Sequence, residues 1–406
     1  MNTNIVPLLS EEISFNPLNK NEYFIHQVVY DHRIKISADL YNFVQLIDNQ
    51  KDLNNIVEEY NQKYNSSLTV EIAYGFLYDN LAVYGIIQSD KIAIKQSQKP
   101  NYIRLNFIVI NERIVAKFTR QLHFLFQSKI SKAILLLGFL TFGYCFYTFS
   151  QQIFHTGVTK SQWLFYFGLS FIGVTFHELG HASAAHHYGA KHGGIGGGFY
   201  LFMPVYFADV TDIWKLPKRQ RIVVNLAGMY FELIYVLFLI WMGLLFNHPV
   251  LMIFGCFILL SSLRNLNPFL RSDGYWVLSD AIEKPNLMVH GFFQITQIFK
   301  SKKGWSVLDY FLLIYGLITY SMILFFVYYV LIRNPDSILY FPQNVRHFIE
   351  NLFLKSGQFS IVELGRLFIP ALFFYLIFGL LKKFVPFLIR KGKRVLLKMR
   401  KSLDSK

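Results

Sequence analysis

Six long apolar runs constrain this chain more than any other feature. They cover residues 133–150, 163–185, 222–246, 250–263, 307–332 and 367–389, and most reach the roughly 20 residues that a helix needs to cross a bilayer. In hydrocarbon every backbone N–H and C=O must be satisfied within the chain, so such runs fold as helices. Composition agrees: 53% of the 406 residues are hydrophobic and only 16% are charged, against roughly 25% charged in an ordinary soluble domain. A disordered chain, a disulfide-rich scaffold and a typical cytosolic enzyme are thereby excluded. The fourth run is short, with fourteen residues before Arg264, and leads into Asn267-Pro268. A broken or partly unwound helix lining a protein cavity is expected there. The expected fold is mainly α, a polytopic membrane protein with about six transmembrane helices.

Charge is sorted along the chain. Residues 1–100 hold eight Lys/Arg and twelve Asp/Glu, a balance of −4, while the other 306 hold 32 and 13, a balance of +19. A basic excess can mark a nucleic-acid binder. Here it flanks apolar runs, where lipid headgroups and topology account for it, so membrane lipids are the expected partner and nucleic acid is not. Lys117, Arg120, Lys129 and Lys132 precede the first run. Five basic residues lie in 186–221, six in 264–305 and ten from Lys382 onward, against one in 151–160, none in 247–249 and four in 333–366. If six spans alternate, all the richer segments share one side, and the positive-inside rule puts both termini in the cytoplasm of a multi-pass cell-membrane protein. Residues 1–15 contain no basic-then-apolar leader. Cys145 and Cys256 both lie inside apolar runs, which argues against a disulfide framework or a CxxC site.

Residues 1–100 read as a small cytoplasmic α+β domain. An extended pattern at 23–30 precedes Ile36-Ser37. Helical spacing follows in 38–47 (Leu40, Phe43, Val44, Ile47), in 53–64 (Leu53, Ile56, Val57, Tyr60) and in 70–83, closing at Gly85-Ile86-Ile87. Such a unit is either a folding cap or a peptide-docking module. Residues 101–132 are then a linker, 133–389 the transmembrane domain and 390–406 a basic cytoplasmic tail. The external segment 333–366 carries no assignable chemistry.

The chemistry concentrates in His177-Glu178-Leu179-Gly180-His181, within the second run. Positions i and i+4 share a helix face, so His177 and His181 can reach one tetrahedral zinc, with Glu178 beside the metal as base. Two imidazoles and a carboxylate are costly in hydrocarbon and functional by default. A polar patch satisfied by a neighbouring helix is the alternative. Such a zinc lacks one protein ligand, and Asp273 is the candidate. His177 lies about 21 Å into a span entered near Trp163, and Asn267 about 26 Å into the span entered at Val250, by helical rise. Both motifs therefore converge at the cytoplasmic third of the bilayer, where Pro268 stops the helix and Gly274 permits Asp273 to fold back. The rival ligand is His187, ten residues after His177 as in HExxHxxGxxH proteases, although Ala184 replaces their glycine. The run Gly193-Gly194-Ile195-Gly196-Gly197-Gly198 lacks the order and context of a nucleotide loop. With the β-formers of 199–207 it reads as a re-entrant β-like segment whose edge could pair with an extended substrate.

His177–His181 within one span, followed by Asn267-Pro268 and Asp273-Gly274 after a later one, resembles the site-2 protease family of intramembrane zinc metalloproteases, over about residues 160–280. Asn225-Leu226-Ala227-Gly228-Met229-Tyr230-Phe231-Glu232 is similar to that family's AGPxxN segment, with Met229 for its Pro and Glu232 for its Asn. Residues 204–217 look like the branch linked to peptide maturation, and 23–88 are similar to the small, winged-helix-like PqqD domains that hold leader peptides. The resemblance implies cleavage of a ribosomally made, modified precursor peptide, with a peptide-modifying enzyme and a transporter as further partners. In this reading His177, His181 and Asp273 hold Zn2+, Glu178 is the general base, and Asn267 donates a hydrogen bond to the developing oxyanion or merely stops a helix. Two alternatives are a non-proteolytic export or immunity component and a membrane peptide sensor.

Overall fold

The computed structural model describes residues 5–19, 22–30, 32–95, 104–155, 160–200, 203–298, 304–350, 367–378 and 382. It is mainly helical and divides into two compact units. The first comprises Met1–Tyr102, Phe107–Gly196 and Tyr206–Glu283, and the second the remainder.

The first unit begins with three antiparallel strands in spatial order β1 (Ile13–Asn19), β2 (Glu22–Gln27), β3 (His32–Ser37). Three helices follow: α1 (Ala38–Val44), α2 (Leu53–Tyr64) and α3 (Val70–Tyr74). Each is capped by the residue before it. The side chains of Ser37, Asp52 and Thr69 accept hydrogen bonds from the N–H groups of Leu40, Asn55 and Ile72, satisfying donors that a helix start leaves orphaned. After α3 the chain continues through a π-helical turn and a tight 3-10 turn, and Gly85 closes it in the left-handed region at φ 71°. Phe43, Val44, Ile47, Leu53, Ile56, Val57 and Tyr60, which the helical spacing picks out, lie in the buried core of this domain together with Leu77 and Ile86, while Leu40 packs against it half-buried.

Residues 104–132, expected to be a linker, carry regular structure: strand β4 (Arg104–Ile110), helix α4 (Glu112–Gln121) and the start of α5 (Ser128–His155). Val115 and Thr119 are the buried residues of α4, which packs on α6 (Lys160–His187). The glycine-rich stretch forms β5 (Ile195–Tyr200), and β6 (Met203–Ala208) follows it, in a second sheet of order β4-β5-β6. Strand character is thus present where the β-like segment was expected, and β6 is an edge. Then come α7 (Lys218–Leu245), α8 (Pro249–Leu263) and α9 (Asp273–Ala281), with α7 packed against α6, α8 and α9. Cys145 and Cys256 are free thiols in the apolar core shared by α5, α7 and α8. The second unit holds α10 (Leu287–Thr296), α11 (Val307–Tyr328), α12 (Asp336–Leu339) and α13 (Phe341–Glu350).

Four helices among the described residues are long and apolar enough to cross a membrane: Ser128–Thr148, Lys218–Leu245, Pro249–Leu266 and Val307–Arg333. Six were expected. The second expected span lies in α6, which has 28 residues but carries His177, Glu178, His181, His186 and His187, and these polar side chains lower its apolar character. The sixth is described at Leu367–Phe378, a shorter apolar helix, and at Lys382; the rest of it, and the tail 390–406, lie outside the described residues. The fourth breaks near the place expected of it. It stays helical from Pro249 through a 3-10 turn to Leu266, and the break falls afterwards, at Asn267–Ser272.

Candidate metal centre

His177 and His181 stand one turn apart on α6, both buried, with their Nε2 atoms 3.2 Å apart. Asp273, the first residue of α9, completes the group. Its Oδ2 lies 2.9 Å from Nε2 of His177 and its Oδ1 3.4 Å from Nε2 of His181. Helix α7 supplies the back wall. Nδ1 of His177 is 2.9 Å from a carboxylate oxygen of Glu232, and Nδ1 of His181 is 2.8 Å from the carbonyl oxygen of Val224. A carbonyl only accepts and a carboxylate accepts, so both imidazoles carry their proton on Nδ1. In its neutral form each imidazole then presents its Nε2 lone pair to the other and to the Asp273 carboxylate. In that form Oδ2 of Asp273, a buried atom, has no hydrogen-bond donor. Three electron-pair donors facing one another repel unless a proton or a metal cation lies between them.

The spacing fits that cation. Four-coordinate ligands at about 2.0–2.1 Å from a metal stand about 3.3 Å apart, and the three observed separations are 2.9, 3.2 and 3.4 Å. This group could hold a metal ion. A glycine keeps the space open: a Cβ at Gly228 would overlap Nε2 of both histidines. Gly274 acts by close approach and not by a turn, since a Cβ there would overlap the backbone of Leu266, and α9 could not start where it does.

Glu178 is buried, 9% exposed, and its Oε2 accepts the N–H of Ala208 at 2.7 Å. The end of edge strand β6 therefore fixes this carboxylate. Asn267 sits in the turn ahead of Asp273. Its side-chain oxygen accepts the N–H of Phe269 at 2.9 Å and its carbonyl accepts the Ser272 hydroxyl at 2.8 Å, bonds that shape the 267–272 turn. His187 lies apart from the three. It is the last residue of helix α6, and its ring stacks on Phe126 at 5.2 Å. His186 and His192 share the hydroxyl of Thr119 at 2.7 and 3.4 Å.

Sequence reasoning noted Glu232 only as a departure from a motif, and did not single out Val224, Arg221 or Asp280. One signal was present for the α7 residues. Arg221, Asn225, Gly228 and Glu232 recur at intervals of four, three and four, the stripe of one helix face. No family model matches the chain, and no curated protein or solved structure matches it either.

Proposed function

We propose that this chain is an intramembrane zinc metalloendopeptidase of the site-2 protease type, acting on a membrane-associated or ribosomally made, modified precursor peptide. The observation that carries the reading is the convergence of three lone-pair donors, His177, His181 and Asp273, next to a carboxylate held by an edge strand. A zinc ion bound there would polarise the scissile carbonyl and acidify water. Glu178 would take a proton from the water that adds to that carbonyl and return it to the departing amine nitrogen. The hydrogen bond from Ala208 holds Glu178 in one orientation, so the base is placed before substrate arrives. Tyr206–Ala208 runs past Glu178 at the sheet edge, where an extended peptide could lie with its carbonyls free of helical hydrogen bonds. Asn267 shapes the turn that delivers Asp273, and its oxyanion role is part of this proposal.

The remaining features take roles in the same reading. Helix α6 and the 367–389 run bring the spans to six, with both termini cytoplasmic, as the sorted basic residues require. The N-terminal domain, whose β1 and β3 are sheet edges, would hold the precursor and raise its local concentration. Mapping of new peptide N-termini in cells that carry the wild type or Glu178→Gln tests the activity. Termini that appear only with the wild type are expected; identical maps would sink the protease reading.

A further inference from the structure

Two faces carry the centre, and both continue beyond it. On α7 the stripe Arg221, Asn225, Gly228, Glu232 spans about 16 Å of helix. Its upper half, Gly228 and Glu232, meets the two histidines. On α9, Asp273 and Asp280 are seven residues apart, two turns along the same face. Asp280 meets the lower half of the α7 stripe. Its Oδ1 accepts Nε–H of Arg221 at 2.6 Å and its Oδ2 accepts the amide of Asn225 at 2.8 Å. Nη1 of Arg221 also donates to the carbonyl of Leu216 at 3.0 Å, and the guanidinium lies over the ring of Trp214 at 5.6 Å. Arg221 is 1% exposed and Asp280 6%.

We propose that Arg221, Asn225 and Asp280 form a clamp that sets the register of α9 on α7 and thereby places Asp273 at the metal. They are positioning residues, and the inference rests on the metal-centre reading above. A buried ion pair is weak evidence of stability, because apolar side chains of similar size often serve as well. What the pair adds is direction. Both carboxylate oxygens of Asp280 are bound by different side chains one turn apart on α7, so α9 can neither slide nor rotate without losing one of them. One residue of slip moves a helix 1.5 Å and turns it by about 100°, which would carry Asp273 out of reach of both Nε2 atoms.

The test uses the full chain in detergent with Zn2+ and Co2+ as probes. Arg221→Lys, Asn225→Ala and Asp280→Asn are compared with Glu283→Gln, which removes the half-exposed partner of Lys218. The clamp predicts zinc affinity weakened about 10–100-fold in the first three, by analogy with lost outer-shell contacts. It also predicts a changed visible Co2+ spectrum, while Glu283→Gln matches the wild type. Should Asp280→Asn fail to fold, Arg221→Lys keeps the charge and Asn225→Ala keeps the ion pair, so those two decide. Wild-type affinity and spectrum in both would overturn the clamp alone. A wild type that binds neither metal would overturn the metal centre and the clamp with it.

Discussion

Glu232 accepts the Nδ1–H of His177 at 2.9 Å, and that bond decides which imidazole nitrogen faces the centre. Partners of this kind orient a ligating histidine and raise its basicity, and their loss commonly costs 10–100-fold in metal affinity. Glu232→Ala should weaken zinc binding by about that range, while Glu232→Gln, which keeps an oxygen acceptor, should lie between Ala and wild type; competition against a chromophoric chelator reads both. Gly228→Ala should be more severe, because its Cβ occupies the space of both Nε2 atoms; zinc bound at wild-type stoichiometry would contradict the geometry. At this scale His177, Glu178 and His181 were legible from spacing alone, since i and i+4 share a helix face whatever the tertiary structure. Asp273 was legible from matched depth. Its neighbour Asn267 was not, because an Asn before Pro fits an oxyanion donor and a local turn equally well. Glu232 was visible only as an unusual residue, since its partner lies on another helix.

The elements divide in the same way. The three N-terminal helices were legible because their apolar spacing and caps agree. Leu53 and Ile56 are fully buried in that core, so Leu53→Ala should cost about 2–5 kcal/mol of the domain's stability. Limited proteolysis of the full chain should then cut within residues 1–100 at lower protease, with zinc content unchanged; loss of zinc as well would tie the two regions together. Strand β1 escaped notice because Pro17 interrupts its pattern and the register shifts between Pro17 and Asn19. Strand β4 escaped because the alternation of Arg104–Phe107 gives way to an unbroken apolar run to Ile110, and it is paired with β5, far along the chain. The break after the fourth run was legible in Asn267-Pro268, although the backbone stays helical past Arg264, to Leu266. Charge in a short run marks where hydrocarbon ends, not where hydrogen bonding does.

For the whole molecule, an acidic first hundred residues and a body of +19 give a topology that reporter fusions can read. Alkaline phosphatase fused at residue 158 should be active and at residue 302 inactive, because basic connections stay cytoplasmic; the reverse pattern would invert the orientation. The same apolar setting gives the centre its force. Two imidazoles and a carboxylate packed against each other are unfavourable without a proton or a metal ion between them, so metal occupancy is the most direct test of the account. Zinc per chain, measured by mass spectrometry on protein purified without added metal, is predicted to be one for the wild type and for Glu178→Gln. It should fall to near zero for His177→Ala and Asp273→Ala. A wild type without metal, or one whose metal survives both substitutions, would contradict it.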